Sequence, residues 1–227
     1  MNKLLDCIIN KKSSQVPIWF MRQAGRYLPE FQKIRKKNVD FIKLCLDSNL
    51  VTNITMQPLN RFDLDAAIIF SDILMIPYGL GQKVEFKRGK GPILGEYDPK
   101  KILVVKEADV IKKFKPIYQA INQVKNKIKK NIIGFTGAPW TLLLYMLNKE
   151  SPKKNFDFNL ITKNEILVNQ LLEKIVNIIV FHIIKQIEAG ADIIQIFDSW
   201  AGLLPKKDLP NYCFNPTLEI LQRVKKF

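Results

Sequence analysis

Four short apolar runs, separated by segments with helical periodicity, constrain the fold of this chain more than any other feature. The runs are residues 16–21 (VPIWFM), 64–70 (LDAAIIF), 131–135 (NIIGF) and 191–197 (ADIIQIF). Apart from the first, which contains Pro17, they are mostly apolar without strict alternation. Such runs are typical of strands that are buried on both faces of a parallel sheet.

Helical patterns lie between and after these runs, over residues 41–62, 108–130, 163–190 and 217–227. Gly190 is a C-cap signal directly before the fourth run. Residues 74–101 are rich in Gly and Pro, which predicts a loop or hairpin insertion after the second strand. The alternation of strand and helix predicts an α/β fold with a parallel sheet, either doubly wound or a (β/α)8 barrel of the TIM type.

The sequence lacks a G-x-G-x-x-G fingerprint after its first run, which disfavours a dinucleotide-binding fold. The last helical pattern has no strand after it. If the fold is a barrel, we therefore expect about its first four βα units, because a whole barrel usually takes about 250 residues.

The charge balance is strongly basic, with 36 Lys and Arg against 21 Asp and Glu and a net charge of +15. Such a surplus attracts nucleic acid, acidic headgroups or acidic small molecules. The lysines are scattered along the chain, which is typical of solvated helix faces, so the charge alone is weak evidence for a partner.

Cysteine and histidine usage argues against a metal site or a disulfide framework. Cys7, Cys45 and Cys213 are far apart and form no C-x-x-C pair, and reduced thiols fit a cytoplasmic protein. The single histidine, His182, lies in an apolar helical stretch and is interpreted as a packed residue. The longest apolar stretch, residues 175–184, is too short to span a bilayer, so we expect no membrane association.

Unusual residues follow each apolar run. They are residues 22–26 (RQAGR), 71–72 (SD), 136–140 (TGAPW) with Tyr145 on the next helix, and 198–202 (DSWAG). The carboxyl ends of parallel strands form one face, where active sites lie, so we expect these groups to converge in a pocket.

Each of these residues also has a structural explanation of its own. Arg22 and Arg26 could pair with helix carboxylates, Asp72 could cap a helix, Tyr145 could be core and Ser199 a turn residue. Together they favour a pocket, in which two arginines capture a polyanion and Asp72 meets an N–H donor or a developing cation. A large, acidic, aromatic-like ligand fits this combination better than a nucleotide does.

Four segments closely resemble motifs of the uroporphyrinogen decarboxylase family, in the same order. They are residues 17–31 (PIWFMRQAGRYLPEF), 66–74 (AAIIFSDIL), 134–146 (GFTGAPWTLLLYM) and 191–202 (ADIIQIFDSWAG). The resemblance runs from about residue 10 to the end of the chain. It implies a (β/α)8 barrel, usually a cytoplasmic homodimer. It also implies decarboxylation of the four acetate side chains of uroporphyrinogen III to give coproporphyrinogen III, without metal or organic cofactor.

The resemblance also implies roles for individual residues. Arg22 and Arg26 would bind substrate carboxylates, and an arginine is a candidate proton donor. Asp72 would accept hydrogen bonds from pyrrole N–H groups and stabilise the reaction's cation. The remaining residues implied to act in catalysis or to line the site are Gln23, Ala24, Gly25, Tyr145, Phe197 and Ser199, with Phe135 and Ile68 as further apolar walls.

Members of the family extend well beyond the length of this chain and carry a pocket histidine in the later part, which His182 cannot replace. We therefore expect residues 1–227 to be a single incomplete barrel domain, with exposed strand edges, that is inactive and poorly stable alone.

Alternatives remain open at this stage. The chain could be a non-catalytic tetrapyrrole-binding remnant. It could also be a relative of the corrinoid-linked methyltransferases, which need a zinc site of His and Cys that the cysteines and histidine here do not supply. A basic nucleic-acid-binding protein would interleave Lys or Arg with aromatics on one face, a pattern that this sequence lacks.

Overall fold

The computed structural model describes residues 3–11, 15–87, 89–152 and 156–227. Its helices are α1 (Lys3–Asn10), α2 (Pro29–Lys37), α3 (Phe41–Cys45), α4 (Ser48–Arg61), α5 (Met75–Gly79), α6 (Pro99–Leu103), α7 (Glu107–Lys125), α8 (Pro139–Asn148), α9 (Asn159–Thr162), α10 (Glu165–Glu188) and α11 (Asn215–Val224). Its strands are β1 (Ala66–Ile68), β2 (Val84–Lys87), β3 (Gly91–Leu94), β4 (Asn131–Gly137) and β5 (Ile193–Phe197).

The main sheet has the strand order β1-β4-β5, and β1 pairs with β4 in parallel. The register places Ala66 opposite Asn131 and Ile68 opposite Ile133. Every residue of β1 is buried, as are all but one of β4, because side chains cover both faces of these strands. The predicted α/β fold with a parallel sheet is thus confirmed.

The prediction of a first strand over residues 16–21 is wrong. The segment forms no strand ladder, and Val16, Ile18 and Phe20 are exposed. Pro17 cannot donate a backbone hydrogen bond. Ile18 instead donates its N–H to the Asp65 carboxylate (2.8 Å) and accepts from the Asp65 N–H (2.9 Å), so a side chain replaces a strand partner.

β5 also differs from expectation, because it is not buried on both faces. All five of its residues are only half-buried, and it stands at one end of the strand order. Its apolar composition correctly predicts a strand, but composition alone does not show how many neighbours cover that strand.

The insertion after β1 contains the expected hairpin. β2 and β3 pair antiparallel, with Val84 opposite Leu94. Gln82 anchors the hairpin through its side-chain N–H groups, which donate to the carbonyls of Gly95 (2.8 Å) and Met146 (3.1 Å). The insertion is more regular than a loop, because it also contains α5 and the start of α6.

Capping residues set the helix boundaries. The helical pattern over residues 41–62 forms two helices, because the Asp47 carboxylate accepts from the N–H groups of Asn49 and Leu50 and begins α4. Gly190 has a φ of 110° after α10, which confirms the predicted stop, since glycine adopts this conformation without strain.

α10 is the longest helix that the structure describes, and its 24 residues include a window of mean hydropathy 1.6. By length and composition it could cross a membrane, which the shorter stretch considered above could not. However, 56% of that window is buried inside the protein, as in a core helix. His182 lies in this helix and is buried as predicted.

The chain divides into two compact units. The first contains residues 1–72, 114–135 and 185–195, and the second contains residues 73–113, 136–184 and 196–227. A cluster of Leu28, Phe31, Leu44 and Ile54 lies in the core of the first unit, and Trp140 is fully buried in the second. The single barrel domain over residues 1–227 stays a prediction.

Candidate functional site

The arginine loop, residues 22–26 of the first unit, is held by the buried side chain of Gln23. Its amide oxygen accepts from the Phe20 N–H (3.0 Å), and its amide nitrogen donates to the Ala66 carbonyl at the start of β1 (3.1 Å). The Tyr27 hydroxyl donates to the Gln23 carbonyl. The Gln23 side chain therefore joins the loop to the sheet.

The guanidinium groups of Arg22 and Arg26 project from this loop and are exposed. Within the described parts of the chain, neither makes a hydrogen bond or an ion pair. Other arginines differ: Arg61 forms a two-pronged ion pair with Glu30 (2.6 and 2.9 Å). The structural explanation for Arg22 and Arg26, pairing with helix carboxylates, is therefore not observed.

The end of β1 lies in the same unit. Phe70 packs on the Leu28 and Phe31 cluster, as does Ala24 of the arginine loop, and the rings of Phe70 and Phe31 are 5.6 Å apart. The N–H of Phe70 donates to the Thr55 hydroxyl (3.0 Å), which fixes the direction in which the chain leaves the strand. Asp72 follows and is half-buried.

The charge of Asp72 acts on a neighbouring thiol. Burial raises the pKa of Cys45 well above its ordinary value, and the negative charge of Asp72 raises it further. Arg35 opposes this shift of the Cys45 pKa, so its charge acts on the same thiol. The Arg35 guanidinium donates to the Val39 carbonyl (2.7 Å) and lies 5.4 Å from the centre of the Phe41 ring. Cys45 is therefore a neutral packing residue, not a nucleophile.

The second unit contains the ends of β4 and β5 and the start of α8. The Ala138 N–H donates to the Phe197 carbonyl (2.8 Å), which brings the segments after these two strands together. The Trp140 indole N–H donates to the Trp200 carbonyl (2.9 Å). The predicted convergence of strand ends is therefore observed for these two strands.

The predicted residues of this unit have different environments. Tyr145 is half-buried, its hydroxyl lies 3.4 Å from the Ser151 hydroxyl, and its ring contacts the Trp200 ring at 6.3 Å. Phe197 is half-buried at the end of β5. Ser199 is exposed, and its hydroxyl has no partner among the described residues.

Thr141 was missed from sequence, and Asp198 was expected among the converging strand ends but was given no role. The Thr141 hydroxyl donates to Asp198 Oδ1 (2.6 Å) and accepts from the Trp200 N–H (3.2 Å). The sequence did place both residues near predicted site residues, since Thr141 lies four residues before Tyr145 and Asp198 directly precedes Ser199. The distance between Thr141 and Asp198, however, is set by packing.

The cysteines and the acidic residues form no candidate metal centre within the described ranges, where no group of three or more His, Cys, Asp or Glu could hold an ion. Burial is the main cause that raises the pKa of Cys213, and Asp198 adds to it through its charge and a hydrogen bond. This thiol therefore stays protonated.

A groove of about 640 Å³ lies elsewhere in the first unit, beside α4 and the end of α7. Its lining includes Asn49, Asn53, Gln57 and Gln123 and none of the predicted site residues. A hydrogen bond from the Thr52 hydroxyl to the Gln123 amide oxygen (2.7 Å) joins the two helices there. The groove adds no group to the predicted site.

The fold and these groups together define the class: an α/β protein that carries polar side chains after the carboxyl ends of parallel strands, where enzymes of this class place their active sites. The family follows from comparison. The model of the uroporphyrinogen decarboxylase (URO-D) family matches residues 1–227, and the chain belongs to this family.

Curated relatives agree with this assignment. The chain is 39% identical to a uroporphyrinogen decarboxylase of Rickettsia felis over 222 residues, which are 96% of this chain and 64% of that protein. It is 39% identical to the enzyme of Rickettsia bellii over 228 residues, covering 99% of this chain and 67% of the relative. The chain thus spans about two thirds of the length of these relatives.

A solved structure supports the fold independently. A methyltransferase from Methanosarcina mazei superposes with a TM-score of 0.77, covering 98% of this chain and 66% of that structure. At 15% sequence identity the likeness concerns the fold alone.

Proposed function

We propose that this chain carries out the decarboxylation of uroporphyrinogen III to coproporphyrinogen III, as a cytoplasmic enzyme of the (β/α)8 barrel type that forms homodimers. The proposal draws on membership of the family and on relatives that bear the enzyme's name. The strand order β1-β4-β5, in which β1 and β4 are parallel, is compatible with part of such a barrel.

The pair of exposed, unpaired guanidiniums on Arg22 and Arg26 is the observation that carries this proposal. Arginine forms bidentate hydrogen bonds with carboxylates, and a guanidinium with no protein partner is available for one. The substrate has eight carboxylates. Gln23 holds the loop by two hydrogen bonds, so both arginines emerge from a fixed backbone.

The proposed reaction needs an electron sink, because loss of carbon dioxide leaves an electron pair on carbon. Protonation of a pyrrole carbon makes the ring that sink, and Arg22 or Arg26 is a candidate donor of this proton. The C–C bond to the carboxylate then breaks, and its electrons neutralise the ring cation. A further proton converts the resulting methylene to a methyl group, and the ring carbon then gives up the first proton, which restores the pyrrole, so that each carboxylate is replaced by one net proton. Asp72 stabilises the cation and accepts from the pyrrole N–H groups.

The other residues of the proposed site bind and orient the macrocycle. Ala24 and Gly25, with the Gln23 backbone, shape the arginine loop. Tyr145 and Ser199 present hydroxyls, which can hydrogen-bond to propionate or acetate groups. Phe197 is an apolar wall, which suits the faces of pyrrole rings.

A tetrapyrrole-binding protein without turnover remains the second candidate, since it would use the same arginines. The solved methyltransferase supports the fold and not its activity. Nucleic acid and membranes are not part of the proposal.

The experiment is anaerobic incubation of the chain with uroporphyrinogen III, followed by chromatography of the oxidised porphyrins. We expect coproporphyrin and the intermediates with seven, six and five carboxylates, a result that would overturn the expectation that residues 1–227 are inactive alone. A folded chain that neither forms these products nor binds uroporphyrin would instead be the inactive fragment. Asp72→Asn should lower kcat at least about 100-fold, because the cation loses a preorganised charge. Arg22→Lys should raise KM about 10-fold, because lysine lacks the bidentate geometry.

Asp109→Asn is the matched control, since Asp109 is exposed in the first turn of α7, and it should change kcat less than about twofold. Near-normal turnover by Asp72→Asn would remove Asp72 from the mechanism. Tight uroporphyrin binding without any coproporphyrin would favour the tetrapyrrole-binding protein.

A further inference from the structure

One buried hydroxyl in the second unit connects the residues on either side of Ser199. Thr141, in the first turn of α8, is fully buried. Its hydroxyl donates to Asp198 Oδ1 (2.6 Å) and accepts from the Trp200 N–H (3.2 Å). A threonine hydroxyl supplies one donor and can accept as well, so both capacities are in use.

The same helix holds Trp200 at two more points. The Trp140 indole N–H donates to the Trp200 carbonyl (2.9 Å), and the Tyr145 ring lies against the Trp200 ring at 6.3 Å with an interplanar angle of 69°. Thr141 and Tyr145 are four residues apart and therefore share a helix face. The N–H, the carbonyl and the ring of Trp200 are thus all held by α8.

Asp198 completes the arrangement from the other side. Its carboxylate accepts from the Thr141 hydroxyl. The Thr141 side chain is buried, so water does not readily replace this donor. The turn that contains Ser199 is therefore anchored at its first residue as well as at Trp200.

We propose that Thr141 and Asp198 are positioning residues that hold the turn Asp198–Trp200 against α8 and thereby fix Ser199 relative to Tyr145. Neither residue needs to touch the substrate. This inference rests on the proposed function, in which Ser199 and Tyr145 bind the macrocycle. Displacement of a binding group by about 1 Å can cost about 100-fold in rate, which is why the anchor matters.

The test compares Thr141→Val, which keeps the shape and removes the hydroxyl, with Thr141→Ser, which keeps the hydroxyl. The Trp200 backbone amide should exchange with deuterium at least about 10-fold faster in Thr141→Val, while amides of β4 stay unchanged. Thr141→Ser should stay within about threefold of the parent chain. In turnover, Thr141→Val should lower kcat about 10- to 100-fold with KM changed less than about threefold, and Thr141→Ser should restore kcat.

Thr162→Val is the matched control, because Thr162 is exposed in the same unit and lies outside the turn and α8. If Thr141→Val does not fold, Asp198→Asn replaces it, since the amide keeps the shape and is a weaker acceptor. It should speed Trp200 exchange about threefold or more.

The exchange measurement separates this inference from the proposed function. Unchanged exchange at Trp200 in Thr141→Val would overturn the inference even if the parent chain decarboxylates its substrate. Selective loss of protection at Trp200 in a chain without turnover would instead uphold the anchor and refute the function. Uniformly faster exchange across all amides would show general destabilisation and overturn the positioning role.

Discussion

His182 is the single histidine of the chain, and its buried imidazole has a much lower pKa than an ordinary histidine. Burial in α10 lowers the pKa of its imidazole from 6.5 to about 3, so the folded protein keeps it neutral at pH values where an unfolded chain protonates it. The unfolded state then binds the extra proton. Stability must therefore fall as the pH falls from about 6.5 toward 3.

We expect the free energy of unfolding to decrease by up to about 1.4 kcal/mol per pH unit between pH 6.5 and 5. Chemical unfolding across this range measures it, and His182→Leu should flatten the curve. Carboxylates with lowered pKa, such as Glu30 and Glu107, lose their stabilising contribution only near and below their ordinary pKa of about 4. An equal slope in His182→Leu would assign the effect to another group.

At the residue scale, the sequence was sufficient to name groups but not their partners. Arg22 and Arg26 were identified because two arginines after an apolar run indicate an anion site, and both are exposed as that use requires. Thr141 was not identified and Asp198 was given no role, because a threonine in a helix and an aspartate in a turn are common on their own. Their 2.6 Å hydrogen bond depends on how α8 packs after β4.

At the scale of elements, three of the four predicted strands exist, as β1, β4 and β5. Their continuous apolar runs made them predictable, because a strand that is covered by helices on both faces has apolar residues on both faces. The first run has a similar composition but forms no ladder, because its Pro17 lacks a donor and Asp65 takes the N–H of Ile18. Composition alone cannot distinguish an apolar run that pairs as a strand from one that does not. The hydrogen-bond partners in the structure distinguish them.

β4 packs closely against the end of α10 through Gly134. A Cβ at this position would lie 2.5 Å from Gln186 Oε1 and 2.9 Å from Ile194 Cδ1. Gln186 cannot move freely, because its side chain accepts from the Phe135 N–H (2.9 Å) and donates to the Phe135 carbonyl (3.1 Å). A glutamine side chain thus hydrogen-bonds β4 much as a neighbouring strand would.

Gly134→Ala should accordingly destabilise the protein by about 1–3 kcal/mol through overpacking, measured by urea unfolding. Gly202→Ala is the control, since a Cβ there meets no atom within 4 Å, and it should stay within about 0.5 kcal/mol of the parent chain. Equal stability of the two variants would contradict the close contact between Gly134 and Gln186.

At the scale of the whole molecule, the strongly basic charge proved less informative than four short motifs. Several lysines are engaged in ion pairs, among them Lys125 with Asp192 (2.6 Å) and Lys174 with Glu107 (2.7 Å). The rest of the net charge of +15 is spread along the sequence, and it suits a polyanionic substrate without specifying one.

The proposed decarboxylation should not depend on a metal ion, because its proposed electron sink is the protonated pyrrole ring. We expect dialysis against EDTA to leave the rate of coproporphyrinogen formation within about 20% of the untreated protein, a margin set by assay precision since no Lewis acid enters the proposed steps. Loss of activity on chelation and its return with added zinc would refute the proposed mechanism.

The two hydrogen bonds of the Gln23 side chain affect the free energy of ligand binding. A flexible loop would lose backbone freedom when its arginines close on a carboxylate, and this loss would weaken binding. Here Gln23 bonds to both Phe20 and Ala66, so the backbone between the two arginines is ordered before any ligand arrives. Only the arginine side chains must then be immobilised, and the entropic cost of fixing the loop belongs to folding rather than to recognition.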